Sequence, residues 1–294
     1  MLNNEAVKFA RQYDLLFTSK TSSLNGNEIP LFRAMKDSLM EASNKFDVEE
    51  YHGTKNQVRF TGDGINARTS ARCELSDLMI IVFSPKTKEA RLTYLQAKSE
   101  RTKVNPSLSS QFMANYEQWY LLSKRPMIQG VGTFQPPQDL LVNSVYPSIG
   151  TFAFFYKSAS GNFETFYVSA DNLSPTTTNK SKKGKVEVLD KSHYFSQANS
   201  YKECISSVNN YYFAYHLYNM TIGSPISSKL VSTQNIRNWI CNILTKKISE
   251  ESKSDNSNEL ARELIKILEP NEQTQGVSEF GSKYLLVLKS NNDF

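Results

Sequence analysis

The chain has 294 residues, of which 39% are hydrophobic and 12% aromatic, and its formal net charge is +5. This composition supports a substantial core and excludes global disorder. No apolar run approaches the roughly 18 to 20 residues of a membrane span, and the first residues lack the apolar stretch of a secretory signal. These features predict a cytoplasmic protein with no membrane segment. Three widely spaced cysteines and three unclustered histidines argue against a disulfide framework or a zinc site.

Two helices are predicted at the start of the chain. Residues 1–17 carry apolar side chains that can pack as a helix, and a second helix is expected after Asn27, whose side chain suits an N-cap. The second helix has one apolar stripe at spacings of three and four, formed by Phe32, Met35, Leu39, Ala42 and Phe46. Extending this stripe back by four residues places Glu28 on the core-facing side, whereas Glu41 falls on the opposite face.

Two strands joined by a short turn are predicted between Cys73 and Arg101. The continuous apolar run Leu78–Phe83 has the length of a strand that is buried on both faces, and Asp77 stands at its beginning. The partner strand is expected at Arg91–Lys98. Because side chains alternate along a strand, Tyr94, Gln96 and Lys98 share one face, and Leu95 and Ala97 share the other.

A helix is predicted after the strand pair, from Asn105–Ser107 to a stop at Lys124–Pro126. Its stripe consists of Leu108, Phe112, Tyr116 or Asn115, Trp119 and Leu122. A hairpin is expected next, from the strands Phe152–Tyr156 and Phe163–Ala170. The segment Ser174–Lys185 is low in complexity and carries four lysines, which fits either a solvated linker or a mobile arm that contacts phosphate.

The last third of the chain is predicted to be mostly helical. The segment Tyr201–Tyr218 is aromatic and mostly helical in pattern, and its tyrosines suit core or partner packing better than base stacking. Further helices are expected at Thr233–Ser249 and Leu260–Leu268, with a final strand at Tyr284–Leu288.

Positive charge is concentrated around the strand pair and the segment that follows it. Between Lys55 and Arg125 the chain has twelve Lys and Arg against six Asp and Glu, whereas the remainder is close to −1. This distribution points to a polyanionic partner, with a solvated basic face as the alternative.

The order of the elements resembles the PD-(D/E)xK nuclease superfamily over residues 27–156. The pattern is a helix with an inward Glu, a strand, a strand opening with Asp77, a strand ending in Gln96-Ala97-Lys98, a helix and a strand. The resemblance implies an α/β fold with a restriction-endonuclease-like αβββαβ core and a mixed central sheet, followed by a mostly helical C-terminal part.

This organisation predicts three regions. A nuclease-like α/β domain is expected at residues 1–170, a basic flexible loop at 171–185, and a mainly helical accessory region for specificity or oligomerisation at 186–294.

The resemblance assigns roles to four residues. Asp77 matches the metal-binding acid, Gln96 the second motif residue, Lys98 the motif lysine, and Glu28 the helix acid. A Mg²⁺ or Mn²⁺ ion would take oxygen ligands from Asp77, the Gln96 amide and the backbone carbonyl of Ala97, while Lys98 would orient water and stabilise charge at phosphorus.

The sequence departs from the common motif at two positions, and three further residues are candidates for contacts with nucleic acid. The commoner residue at position 96 is Glu, so Gln96 removes one negative charge, and Ser76 stands where the motif often has Pro. The basic side chains expected to contact nucleic acid are Arg72, Arg101 and Lys103.

The function implied is a metal-dependent DNA endonuclease, in a restriction or anti-phage defence context. DNA is the expected partner, together with a homodimer or a defence-system protein. The first alternative is an inactive nuclease-like fold that binds DNA or protein, and the second is an adaptor whose C-terminal half docks a partner. Motifs for ATP hydrolysis, serine hydrolysis and dinucleotide binding are absent from the sequence.

Overall fold

The computed structural model describes residues 4–42, 57–62, 70–103, 111–142, 144–177, 182–189, 195–198, 201–226, 230–250, 255–268 and 282–290. The helices are α1 (Asn4–Thr21), α2 (Glu28–Ala42), α3 (Tyr116–Lys124), α4 (Asn210–Tyr218), α5 (Gln234–Glu250) and α6 (Asp255–Leu268). The strands are β1 (Gln57–Phe60), β2 (Ala71–Glu74), β3 (Ser76–Ser84), β4 (Glu89–Lys103), β5 (Gln111–Asn115), β6 (Gln129–Gly130), β7 (Gly150–Lys157), β8 (Phe163–Ser169), β9 (Leu173–Pro175), β10 (Lys183–Val188), β11 (Phe195–Ala198), β12 (Tyr201–Cys204), β13 (Ser206–Ser207), β14 (Ser224–Pro225) and β15 (Ser282–Lys289).

A seven-stranded sheet of mixed orientation forms the centre of the structure. Its strand order is β13-β8-β7-β4-β3-β15, and β14 also pairs with β4. Strands β3 and β4 are antiparallel, whereas β4 pairs with β7 and β3 pairs with β15 in parallel. Three smaller sheets flank it, in the orders β2-β1-β6, β5-β10-β9 and β11-β12. The predicted α/β architecture with a mixed central sheet is confirmed.

Each face of the central sheet carries its own hydrophobic core. Along β3, Met79 and Ile81 point into the core that contains α3, α5 and α6, whereas Leu78 and Ile80 point into the core that contains α1, α2 and α4. The prediction that this run is buried on both faces is therefore confirmed, since every residue of β3 is buried. Within the described residues, no helix combines the length and apolar character needed to cross a membrane.

The strand that lies beside β3 is not the one that the predicted αβββαβ core would place there. The strand that the pattern expects between the second helix and the strand opening with Asp77 is present as β1, but it pairs with β2 and β6 in a small separate sheet. The place next to β3 is taken by β15, which runs parallel to it from Ser282 to Lys289. Because β3 is buried on both faces, it needs a hydrogen-bonded neighbour on each side, and an apolar strand from the end of the chain supplies the second one.

The predicted helix start at Asn105–Ser107 lies outside the described residues, but the next part of that prediction is wrong. Residues 111–115 form β5, and the helix begins only at Tyr116, capped by the Asn115 side chain. A spacing of four, as from Phe112 to Tyr116, keeps two side chains on one face in a strand as well as in a helix. Pairing of β5 with β10 over five residues therefore decides the conformation.

The last third of the chain contributes to the central sheet as well as to the helical layers. Strands β13, β14 and β15 pair with it, although they come from the region predicted as a mainly helical accessory part. The segment predicted as mostly helical from Tyr201 begins with strands and becomes helical only at Asn210, which corrects that expectation. The helices predicted at Thr233–Ser249 and Leu260–Leu268 are confirmed as α5 and α6.

Candidate metal and phosphate site

A cavity of about 350 Å³ lies where β3 begins and β4 passes the first turn of α2. Its walls come from seven elements, and most of its lining residues are polar. They are Glu28, Glu74, Asp77, Lys98, Ser99, Met113, Ala114, Asn115, Gln118 and Lys183. Three of the four residues singled out by the sequence pattern, Glu28, Asp77 and Lys98, therefore meet at one cavity.

The strand pairing brings Asp77 and Lys98 together. Leu78 pairs with Leu95, and continuing this antiparallel register by one residue sets Asp77 opposite Gln96. The Asp77 carboxylate accepts a hydrogen bond of 2.9 Å from the backbone N–H of Ala97, and its side chain is only 8% exposed. This bond fixes the orientation of the carboxylate at the inner end of the cavity.

The ammonium of Lys98 lies among three oxygen atoms. Its Nζ donates to the Ala97 carbonyl at 2.8 Å and is 3.9 Å from Oδ2 of Asp77 and 3.6 Å from Oε1 of Glu28. The Lys98 side chain is 16% exposed, so these contacts are partly shielded from water. Two carboxylates and a carbonyl thus converge on a single cation.

Glu28 reaches this cluster because a side-chain hydrogen bond joins its helix to β4. Oγ of Ser99 donates to the carbonyl of Gly26 at 2.6 Å, two residues before α2 begins. Gly26 has φ of +79°, a conformation that glycine adopts without steric cost. The Glu28 side chain is 44% exposed, which corrects the expected core-facing position, because the side chain lies at the cavity rather than in the core. Glu41 points elsewhere and pairs with Lys20 at 2.6 Å, as the stripe predicted.

Gln96 lies in the sheet beside this cluster, but it does not line the cavity. Its residue is fully buried on the face shared with Tyr94 and with Phe152 of the adjoining strand. Neither its amide oxygen nor its amide nitrogen has a hydrogen-bond partner among the described residues. A buried amide oxygen without a partner is suited to bind a metal ion or an ordered water. The role of Gln96 as a metal ligand stays a prediction.

Of the three residues predicted to contact nucleic acid, Arg72 has a described side chain, and it does not line the cavity. Arg72 is exposed on β2 and its Nε donates to Oε1 of Gln57, away from the cavity lining. Arg101 and Lys103 belong to β4, but their side chains lie outside the described part of the chain.

Four polar cavity residues were not identified as site residues from the sequence. Glu74, three residues before Asp77, suits either a supplementary ligand or a surface acid from the sequence alone. Asn115 and Gln118 were assigned to the interior of a helix that in fact starts at Tyr116. Lys183 belongs to the lysine-rich segment whose alternative interpretation was a phosphate-contacting arm. That alternative was the signal in the sequence that could have identified Lys183.

The donor set is compatible with a hard divalent ion. Asp77, Glu28, Glu74 and the Ala97 carbonyl offer oxygen atoms, and Mg²⁺ needs only one or two carboxylates because it keeps several waters. Among the described residues, no three His, Cys, Asp or Glu side chains lie close enough together to form a metal site by themselves. The three acids and two lysines of the lining carry a formal charge of −1, which a divalent ion would change to +1.

A soft thiolate ligand is not provided by the neighbouring cysteine. Cys73 precedes the cavity acid Glu74 and is buried in the sheet. Burial raises the pKa of its thiol, and the negative charges of Glu117 and Glu74 raise it further. Cys73 therefore stays a neutral thiol at neutral pH, and the site offers oxygen ligands.

Comparisons of this chain with protein-family models, with curated proteins and with solved structures found no match.

Proposed function

We propose that this protein is a divalent-metal-dependent endonuclease that hydrolyses phosphodiester bonds in DNA. The observation that carries the proposal is the convergence of the Lys98 ammonium with Asp77, Glu28 and the Ala97 carbonyl at one cavity. The order of elements predicted from the sequence, which resembles the PD-(D/E)xK pattern, supports the same proposal. A restriction or anti-phage role, with a homodimer or a defence-system partner, is part of this proposal and rests on the resemblance.

The residues that would hold the ion are Asp77, Glu28 and the Ala97 carbonyl, with Gln96 as a predicted fourth ligand. When bound, Mg²⁺ or Mn²⁺ supplies charge neutralisation at the scissile phosphate and lowers the pKa of a water. Asp77 is suited to its task because the Ala97 N–H fixes its carboxylate. Ordered ligands cost little reorganisation during the reaction.

Lys98 has the role of electrostatic stabiliser. In hydrolysis, the oxygen of water forms a bond to phosphorus, one phosphorus–oxygen ester bond breaks, and the leaving oxygen takes up a proton. Negative charge grows on the phosphoryl oxygens as this happens, and a partly buried ammonium stabilises it more strongly than a solvated one would. The ammonium also has donors to orient the attacking water.

An inactive DNA-binding module is the second candidate, and the burial of Gln96 favours it. If this amide never reaches an ion, the site has one ligand fewer than the pattern expects. The cavity could then bind a phosphate through its lysines without cutting.

The deciding experiment incubates the purified chain with supercoiled, linear and single-stranded DNA in Mg²⁺, Mn²⁺ or EDTA. We expect metal-dependent nicking or cutting that disappears in EDTA and in Asp77→Ala. Glu41→Ala is the matched control, since it removes an acid of α2 that pairs with Lys20 away from the cavity. A wild-type chain that shifts DNA in a gel but cuts none of these substrates would exclude the enzyme and leave the binding module.

A further inference from the structure

A short sheet of three strands forms one wall of the cavity. Strand β10 pairs with β5 in antiparallel register, which sets Lys183 opposite Asn115 and Lys185 opposite Met113. Lys183, Asn115 and Met113 all line the cavity, whereas Lys185 does not. The wall therefore carries a cation that comes from a different sheet and a distant part of the chain from Lys98.

Three contacts of Tyr116 fix β10 in this position. The backbone N–H of Tyr116 donates to the carbonyl of Lys182 at 2.8 Å, and its hydroxyl donates to the carbonyl of Lys185 at 2.9 Å. Between them, Gly184 lies so close that a Cβ atom there would be 2.2 Å from the Tyr116 hydroxyl. Only glycine fits this approach, so the backbone on both sides of Lys183 is held against the helix that begins at Tyr116.

The described lysines of this segment have different surroundings. Lys182 pairs with Glu117 at 3.5 Å, and the carboxylate of that pair is buried. Lys185 is exposed on β10, two cross-strand pairs from the pair of Lys183 with Asn115. Of the three lysines described between 182 and 185, Lys183 is the one in the cavity lining.

A second cation would be redundant if the site took a single phosphate. Lys98 already lies among Asp77, Glu28 and the Ala97 carbonyl, the groups that would hold a divalent ion and serve the scissile phosphate in the proposed function. A lysine on another wall of the same cavity suits a further phosphate group of the same strand, since phosphate contacts position a nucleic acid in its register.

We propose that Lys183 binds a phosphate adjacent to the scissile one, so that the substrate is a polynucleotide strand rather than a mononucleotide or a small phosphodiester. This inference rests on the proposed function for the identity of the scissile phosphate. Lys183 is thus a positioning residue for the substrate, and Asn115 and Gln118 provide amide groups on the same side of the cavity.

The test compares Lys183→Gln with Lys183→Arg and with the control Lys185→Gln, which removes the same charge from the same exposed strand face. Binding to a short labelled DNA duplex is measured in EDTA as a function of salt, and cleavage is measured in Mg²⁺ on that duplex and on bis(p-nitrophenyl) phosphate. For Lys183→Gln we expect about tenfold weaker binding. The slope of log K against log salt should also decrease in magnitude by about 0.9. Lys183→Arg should retain the slope, and Lys185→Gln should resemble wild type.

Comparing a DNA duplex with a small phosphodiester separates the test of Lys183 from the test of the nuclease activity itself. Lys183→Gln should lose more activity on the duplex than on bis(p-nitrophenyl) phosphate, because the small compound has no second phosphate. If wild type cleaves DNA and Lys183→Gln resembles Lys185→Gln in slope and rate, the inference fails while the nuclease stands. If wild type cleaves neither substrate, the nuclease fails, and the slope in EDTA still decides whether Lys183 contacts a phosphate. Equal melting temperatures verify that the variants are folded.

Discussion

Two cations of strand β4, Arg91 and Lys98, are seven residues apart, and their surroundings differ in one decisive respect. Arg91 is 5% exposed, donates to the carbonyls of Lys202 at 2.8 Å and Gly223 at 3.3 Å, and lies near the fully buried Glu203. Lys98 contacts two carboxylates and a carbonyl at the wall of an open cavity. Both are cations beside acids, but Arg91 is buried, whereas Lys98 lines a cavity that a ligand can enter.

A cluster of charged side chains indicates a candidate functional site only where the cluster is also accessible to solvent. Glu203 is held by the backbone N–H of Ser148 at 2.7 Å, and Arg91 joins β4 to two segments of the last third of the chain. These bonds and the burial of both side chains give the cluster around Arg91 a structural role. At Lys98 the same types of groups remain reachable, which permits chemistry.

The largest expected effect is on catalysis at the open end. Lys98→Met should reduce the rate of DNA cleavage by about 10²- to 10³-fold, because it removes a cation that stabilises developing charge. The melting temperature of this variant should stay close to that of wild type, because Lys98 is partly exposed and is not part of the hydrophobic core. Single-turnover cleavage and thermal unfolding measure the two quantities. A variant that cuts normally would place Lys98 with the structural cations.

At the buried Arg91, a substitution is expected to reduce stability rather than catalysis. Arg91→Met should lower the free energy of unfolding by roughly 3 kcal/mol. The substitution removes the hydrogen bonds that the charged guanidinium donates, and it also removes the positive charge of Arg91 from the neighbourhood of the buried Glu203. Urea denaturation followed by tyrosine and tryptophan fluorescence measures the loss. Cleavage per folded molecule should be retained. An unchanged unfolding midpoint would contradict the structural assignment of Arg91.

A smaller effect tests the buried amide between the two clusters. Gln96→Glu places a carboxylate where the residue is fully buried, so the chain should be destabilised in EDTA. If Gln96 is a metal ligand, Mn²⁺ should raise the melting temperature of Gln96→Glu more than that of wild type, and half-maximal activity should need less Mg²⁺. Melting in EDTA and in Mn²⁺ provides the comparison. A destabilised variant with no additional response to metal would make Gln96 a core residue.

The smallest effect concerns pH. Burial raises the pKa of Glu203 above its usual value of 4.5, opposed by hydrogen bonding to Ser148 and by the charge of Arg91. The folded state therefore binds this proton more tightly than the unfolded state, and the stability that it contributes is lost as pH rises above 4.5 through the raised pKa. Glu203→Gln removes this loss, so its stability relative to wild type should increase from pH 4.5 toward neutral pH. Urea denaturation across that interval measures the difference, and a difference independent of pH would contradict the prediction.

Several features of the site could be predicted because they are local. Alternation along β4 placed Tyr94 on one face and Leu95 and Ala97 on the other, and the two cores confirm that division. The stripe of α2 separated Glu28 from Glu41, and the ion pairs of the two acids follow that separation. In each case the period of the backbone fixes which side chains share a face, whatever the rest of the chain does.

Other features could not be predicted because they depend on which distant segments meet. The bond from Ser99 to Gly26 brings Glu28 to Lys98, and the contacts of Tyr116 bring Lys183 to the same cavity. The even spacing of Phe112 and Tyr116 suits a strand and a helix equally, so only pairing with β10 made residues 111–115 a strand.

The sequence by itself determined the strand pair and the burial of its apolar run on both faces. It also determined that Asp77 lies near Gln96-Ala97-Lys98 on the partner strand, because a short antiparallel pair leaves few registers. Tertiary structure decided the rest. It set β15 beside β3, opened a cavity at Lys98 while enclosing Arg91, and buried Gln96. Depth and access result from the packing of all neighbouring elements, and no local pattern encodes that sum.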